Sequence, residues 1–212
     1  MNNLSFKRVL VLSPHTDDGE FGCGASISRF LNDGIELYYA AFSLAEESIP
    51  PHYPKDILSK EVKKATKELG IDKNNLMLYK YPVRRFAENR QDILENLVQL
   101  NKELNPDLVF MPTLKDLHQD HSTIAKEGLR AFKMKSILGY EIPWNNINFT
   151  TQSFIIFDKI HLVKKLNALS CYESQKHRHY ASKEFITSLA RTRGTQIGVK
   201  YAEVFEVIRW IL

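Results

Sequence analysis

Val9-Leu10-Val11-Leu12-Ser13-Pro14-His15-Thr16-Asp17-Asp18-Gly19-Glu20 joins an unbroken apolar run to a cluster of one histidine and three carboxylates. The run is short and uninterrupted, which predicts a strand buried on both faces within a parallel sheet. Phe21-Gly22-Cys23-Gly24-Ala25-Ser26 then leads into a predicted helix over 25–32. In open α/β sheets, ions and small ligands collect at the carboxyl ends of the strands. An imidazole with paired carboxylates at that point is therefore a candidate metal site.

Outward from this stretch, strand and helix alternate. Ile35 to Phe42 predicts a second strand, and Ser43 to Pro54, carrying Pro50, Pro51 and Pro54, a loop beyond its carboxyl end. In 55–69 the apolar residues Ile57, Leu58, Val62, Ala65 and Leu69 recur at helical spacing, and Gly70 stops the helix. A third strand is predicted over 76–79, a loop over 81–86, a helix over 91–104 and a fourth strand over 108–111, after the break at Asn105-Pro106-Asp107. This rhythm argues for βαβ units with right-handed crossovers in an α/β three-layer sandwich with a mostly parallel sheet. After the fourth strand comes His118-Gln119-Asp120-His121, with Ser122 or Asp120 as candidate cap of a helix over 123–132. Further strands are predicted at 137–141 and 153–157 and helices at 160–171 and 183–193; 201–211 fits either period.

The chain has 212 residues, 43 % of them apolar and 25 % charged, which suits a single globular domain over 1–212. No apolar run reaches the roughly 18 residues of a membrane span. Met1 to Arg8 lacks the apolar core and cleavage site of a secretory leader, and two cysteines, Cys23 and Cys171, make no disulfide framework. A cytoplasmic setting is expected. The net charge of +4 is spread among interspersed acidic residues, which argues against a nucleic-acid partner and leaves a small molecule, with a homo-oligomer possible.

Two strand ends thus each deliver a His/Asp cluster. His15, Asp18 and His121 would supply two imidazoles and one carboxylate, and three protein ligands with an open position is the catalytic zinc arrangement. Asp17, left beside the metal, could take the proton of a metal-bound water, whose pKa zinc lowers to about 7. His118, once protonated, could stabilise an oxyanion or protonate a leaving amine, with Asp120 orienting its ring. Each motif has a plainer reading: Asp-Asp pairs make turns, and His-Gln-Asp-His can be a solvated helix start. Their pairing at two strand ends favours function. Gly22-Cys23-Gly24 lacks the third glycine of a dinucleotide loop, and Asp17, Asp18 and Glu20 would repel a pyrophosphate. Gln175-Lys176-His177-Arg178-His179 reads as a basic surface loop, and Cys23 as a small packed residue.

These motifs resemble the PIG-L/LmbE family of zinc-dependent N-deacetylases. His15-Thr16-Asp17-Asp18-Gly19-Glu20 matches its His-Pro-Asp-Asp signature with a nearby Glu, and His118-Gln119-Asp120-His121 matches its His-x-Asp-His. Tyr140-Glu141-Ile142-Pro143, Tyr172-Glu173-Ser174-Gln175, Arg193-Gly194 and Tyr201-Ala202-Glu203-Val204-Phe205 resemble bacterial members. The resemblance implies a Rossmann-like sandwich and a metal-dependent amidohydrolase that removes an N-acetyl group, usually from a glucosamine-containing substrate. It also implies one Zn2+ per chain (other divalent ions being possible) on His15, Asp18 and His121, with Asp17 as base, assisted by His118 and Asp120. Thr16 replaces the usual proline. Ile57-Leu58-Ser59-Lys60-Glu61 stands where many members carry an arginine that meets the substrate.

Two other functions compete: a metal-dependent hydrolase of another bond, such as a phosphoester, and a non-catalytic sugar-binding domain with a relict site. Retention of Asp17 and His118, which metal binding alone does not require, argues against the second. A two-metal phosphoesterase would want more carboxylates. With Leu58 in place of arginine, Arg84 or Arg85 is expected to meet an anionic group on the substrate; Arg178 is a further candidate for such a group, and Trp144 for a sugar face.

Overall fold

The structure, a computed structural model, describes residues 6–211. The expectation of no leader falls partly on residues 1–5 and to that extent lies outside the described region. Strands β1 (Arg8–Ser13), β2 (Glu36–Ala41), β3 (Leu76–Leu78), β4 (Leu108–Pro112) and β5 (Ser136–Tyr140) run parallel, and β6 (Ser153–Ile156) and β7 (Ala202–Arg209) complete the sheet. The spatial order is β3-β2-β1-β4-β5-β7-β6, with β7 antiparallel to both β5 and β6. The chain therefore walks outward from β1 to β3, then returns to lay β4 on the other side of β1. That reversal opens a crevice at the carboxyl ends of β1 and β4.

Helices α1 (Asp18–Asn32), α2 (Ile57–Leu69) and α5 (Lys159–Ser170) share one face; α3 (Arg90–Leu104) and α4 (Gln119–Ala131) pack on the other. Pleating of β1 explains the division. Val9 and Val11 are buried in the core with α1, α2 and α5, while Leu10 and Leu12 point into the core under α3 and α4. Helix α6 (Lys183–Thr195) packs on β7. The three-layer sandwich and mostly parallel sheet expected from the alternation are present. The open choice at 201–211 resolves as the antiparallel strand β7.

Two helices begin earlier than their sequences predict, and both displacements place the site. Helix α1 starts at Asp18 rather than Ala25. Its glycines, read locally, favour a loop, but here they permit close packing: a Cβ on Gly19 would lie 2.6 Å from the Tyr39 ring, and one on Gly22 would collide with Tyr140. The helix breaks at Cys23 (φ −145°, ψ 22°), and a buried ion pair splices the halves. Glu203 accepts the N–H groups of Ala25 (3.1 Å) and Ser26 (2.7 Å), while Lys165 Nζ donates to the Phe21 carbonyl (2.6 Å) and to Glu203 (2.6 Å). Helix α4 starts at Gln119 rather than Thr123, because His118 itself is the cap. Its Nδ1 accepts the Asp120 N–H at 3.2 Å, displacing Ser122 and Asp120 from the capping role expected of them.

Candidate active site and metal centre

Strand β1 ends by delivering His15, Thr16 and Asp17 to the first turn of α1, and β4 ends in the loop that enters α4 at His118. The two motifs face each other across the crevice. His15 Nδ1 lies 3.1 Å from Asp18 Oδ2 and 3.4 Å from His121 Nε2, and His121 Nε2 lies 3.1 Å from the same Asp18 oxygen. A tetrahedral zinc with bonds of about 2.0–2.1 Å needs ligand atoms about 3.3–3.4 Å apart, so this triangle has the right size. The outer ring nitrogens are spoken for: His15 Nε2 meets Asp120 Oδ2 at 2.9 Å, and His121 Nδ1 meets Asp116 Oδ2 at 2.8 Å. With N–H groups directed outward at carboxylates, the inner nitrogens offer lone pairs to the triangle.

The electrostatics also call for a cation there. Burial disfavours charge on either ring, yet Asp18, joined by Asp120 at His15 and by Asp116 at His121, outweighs it, raising His15 to about 9 and His121 to about 10. Burial likewise opposes the charge of Asp18, but the two imidazoles hold its carboxyl well below the usual range. The site attracts positive charge, whether as protons or as a divalent ion, and its donor set suits zinc. His118 stands close beside the triangle: ring nitrogens of His15, His118 and His121 all lie within 4.8 Å of one another.

Asp17 stands beside this triangle, and its carboxylate is bonded by no other side chain among the described residues. Burial and the neighbouring charge of Asp18 raise it to about 6, with Arg178 pulling the other way. Below it, the Glu20 carboxyl meets the hydroxyls of Tyr39 and Tyr172, and Tyr172 also donates to the Thr16 carbonyl at 2.8 Å. Burial pushes Glu20 up to about 8. Burial and the two neighbouring imidazoles lower His118 to about 4, so its ring is neutral. Because Nδ1 accepts from Asp120 N–H, the proton of the neutral ring sits on Nε2.

The Asp120 carboxylate does not reach the His118 ring, contrary to expectation. It is fully buried and binds His15 Nε2 and the N–H groups of Arg84 (2.6 Å) and Phe86 (3.3 Å). Its orienting contact is thus to a metal-side imidazole, since an aspartate at the second helical position projects away from the cap residue. Arg84, held at φ 67°, and Trp144 line the cavity above the triangle, which encloses about 330 Å³. Arg85 does not line it: its side chain lies in solvent, 3.7 Å from Glu88. Leu58 does line it, at the position where an arginine is absent from this sequence.

Sequence reasoning overlooked Asp116, whose carboxylate also accepts the His118 N–H at 2.9 Å. The signal was an acidic residue two positions before the first histidine of the second motif. Arg178, a candidate anion contact within a stretch that reads as surface loop, reaches the cavity, and so does Tyr180, which the sequence did not single out; Tyr180 stacks on Trp144 at 3.9 Å and its hydroxyl meets Arg178. The stacking of Tyr180 on Trp144 depends on the fold of the loop before α6.

Residues 10–132 match the family described as PIG-L: GlcNAc-PI de-N-acetylase. The chain is 26 % identical over 181 residues to the uncharacterized deacetylase YaiS of Escherichia coli K12, covering 79 % of this chain and 91 % of that one. Among solved structures it resembles the conserved protein TT1542 of Thermus thermophilus, with a TM-score of 0.83 and 24 % identity over 96 % of this chain and 95 % of that one. It also resembles GalB, the 4-carboxy-2-hydroxymuconate hydratase of Pseudomonas putida KT2440, with a TM-score of 0.78 and 19 % identity over 97 % and 98 %. The fold is thus shared with a hydratase as well as with deacetylases, and the reaction has to be argued from the site.

Proposed function

This chain belongs to the GlcNAc-PI de-N-acetylase family, PIG-L, and on that footing we propose that it is a zinc-dependent amidohydrolase removing an N-acetyl or similar small N-acyl group from an amino-sugar conjugate. The observation that carries the reading is the convergence of His15 Nδ1, Asp18 Oδ2 and His121 Nε2 within 3.1–3.4 Å, with the Asp17 carboxylate held ready at their side.

His15, Asp18 and His121 would hold the ion, and Asp116 and Asp120 fix the two imidazoles from behind. A divalent ion bound there supplies Lewis acidity and lowers the pKa of water. Asp17, near pKa 6, accepts the proton lost by the attacking water and returns it to the departing amine nitrogen. The C–N bond breaks, the water oxygen stays with the acyl carbon, and the products are a carboxylate and an amine. Neutral His118 acts through Nε2–H as a hydrogen-bond donor to the acyl oxygen as negative charge develops on it. A donor of this kind needs no prior protonation, unlike the imidazolium expected from sequence. Trp144 and Tyr180 present aromatic surface to the sugar.

The test is amine release from N-acetylated amino-sugar glycosides by protein loaded with zinc. Asp17→Asn is expected to retain the metal and lose turnover by about 10²–10⁴-fold, the range of a lost general base. Near wild-type turnover in that variant would remove Asp17 from the reaction. Amine release from no N-acyl sugar would overturn the reading itself.

A further inference from the structure

We infer that the segment Glu173–Lys183 forms a subsite for an anionic group on the leaving side of the substrate, phosphate or carboxylate, with Arg178 as its charge partner. This rests on the deacetylase reading above. A second cavity, of about 390 Å³, lies under this segment and shares Phe21, Gln175 and Arg178 with the catalytic cavity. Arg178 therefore forms part of the wall between the two.

The charge distribution across that wall is one-sided. The catalytic side contains the carboxylates of Asp17 and Asp18, which would repel an anion. The far side is lined by Lys176, His177, Arg178, His179 and Lys183, and by no aspartate or glutamate among the described residues. Lys176 is neutralised by Glu173 at 2.5 Å, but neither Arg178 nor Lys183 has a carboxylate within 4.0 Å among the described residues. Arg178, half-buried, hydrogen-bonds among the described residues only with the hydroxyl of Tyr180. Asp17 and Asp18 act on this guanidinium from the catalytic side but neither bonds it, so its far side is available for a charge-assisted, bidentate contact.

The segment is also fixed in place. Ser174 donates its N–H (3.0 Å) and its hydroxyl (2.6 Å) to Glu61 of α2, which is 2 % exposed. Tyr180 is stacked on Trp144, so Arg178 is presented from a braced loop. Such preorganisation reduces the ordering cost of binding. The two cavities meet at Arg178, so an anion held in the second would meet the guanidinium from the side away from Asp17.

Three probes decide it: methyl N-acetylglucosaminide (neutral), N-acetylglucosamine 1-phosphate, and the N-acetylglucosaminide of glycolic acid (carboxylate). Each is assayed for amine release by zinc-loaded wild type, Arg178→Gln and Lys183→Gln. Wild type is expected to prefer an anionic probe by about ten- to a hundredfold in kcat/KM, the range of a charge-assisted hydrogen bond. Arg178→Gln should abolish that preference through KM, and Lys183→Gln should reduce it. The phosphate and carboxylate arms show which anion is meant. Equal handling of all three probes by wild type overturns the subsite, as does an equal loss on neutral and anionic probes in Arg178→Gln, which would make Arg178 a modulator of Asp17 alone. If no probe releases amine, the deacetylase reading fails separately, and calorimetric binding of the same probes still decides the subsite. Tighter binding of an anionic probe, lost in Arg178→Gln, supports it; indifference to charge overturns it.

Discussion

A single carboxylate, that of Asp116, organises both histidines of the second motif. Its Oδ2 receives His121 Nδ1–H and its Oδ1 receives the backbone N–H of His118, so one side chain sets an imidazole tautomer and the entry of the helix. The side chain is 1 % exposed, so water cannot take over either contact. In Asp116→Asn, the amide oxygen can still serve His118, but the amide NH2 then faces His121 Nδ1 and draws the ring into the other tautomer. The proton on Nε2 would point into the triangle, where a metal needs a lone pair. Zinc affinity should fall about 10–100-fold, the usual effect of losing an outer partner of a ligating histidine, with the circular dichroism spectrum unchanged. Competition with a chromophoric chelator measures it, and an unaltered affinity would show that Asp116 does not orient the ring.

At the scale of elements, α1 is two helices joined end to end. The first, from Asp18 to the break at Cys23, is barely longer than one turn and carries Asp18 and Glu20; alone, so short a helix would not persist. Lys165 takes the carbonyl of Phe21 where the first half stops, and Glu203 takes the N–H groups of Ala25 and Ser26 where the second begins. Both side chains are almost wholly buried, so each removes the other's desolvation problem. Glu203→Gln leaves the ammonium of Lys165 without a counter-charge, and removing one partner of a buried pair costs about 3–5 kcal/mol. Denaturant unfolding should show that loss. Adding Lys165→Met should make the double variant less damaged than the two single losses summed. Additive losses would mean the splice does not act as a unit.

Across the whole molecule, the proposed ion ties the end of β1 to the start of α4, elements separated by about a hundred positions of chain but adjacent at the reversal of the sheet. Binding to the folded chain alone stabilises by about 4 kcal/mol at a thousandfold excess over Kd. For a chain of this length that corresponds to a rise in Tm of roughly 8–16 °C. Chelation of the wild type should therefore lower Tm by about that amount, and zinc should restore it. His121→Ala should show neither the loss nor the recovery, and a full response in that variant would exclude His121 as a ligand.

Much of this architecture was legible because it rests on local periodicity. The apolar runs at 9–12 and 108–111 read as strands, the first as one buried on both faces, and α2 and α3 announced themselves by spacing and by Gly70 and Asn105 at their ends. Both His/Asp motifs could be placed at strand ends, which is where they stand. What the sequence left open depends on partners distant along the chain. The early start of α1 needs Glu203 and Lys165, 180 and 142 positions beyond Cys23, and the rings of Tyr39 and Tyr140 against Gly19 and Gly22. Asp120 serves His15 rather than His118 because two helices' geometry, not proximity in sequence, sets the distance. Of the candidate arginines, Arg84 and Arg178 reach the cavity and Arg85 lies in solvent, a division the sequence could not make because a charged residue in a loop has no period to reveal its direction. Spacing along the chain determines which residues share a face of one element; only the packing of one element on another decides which of them meet.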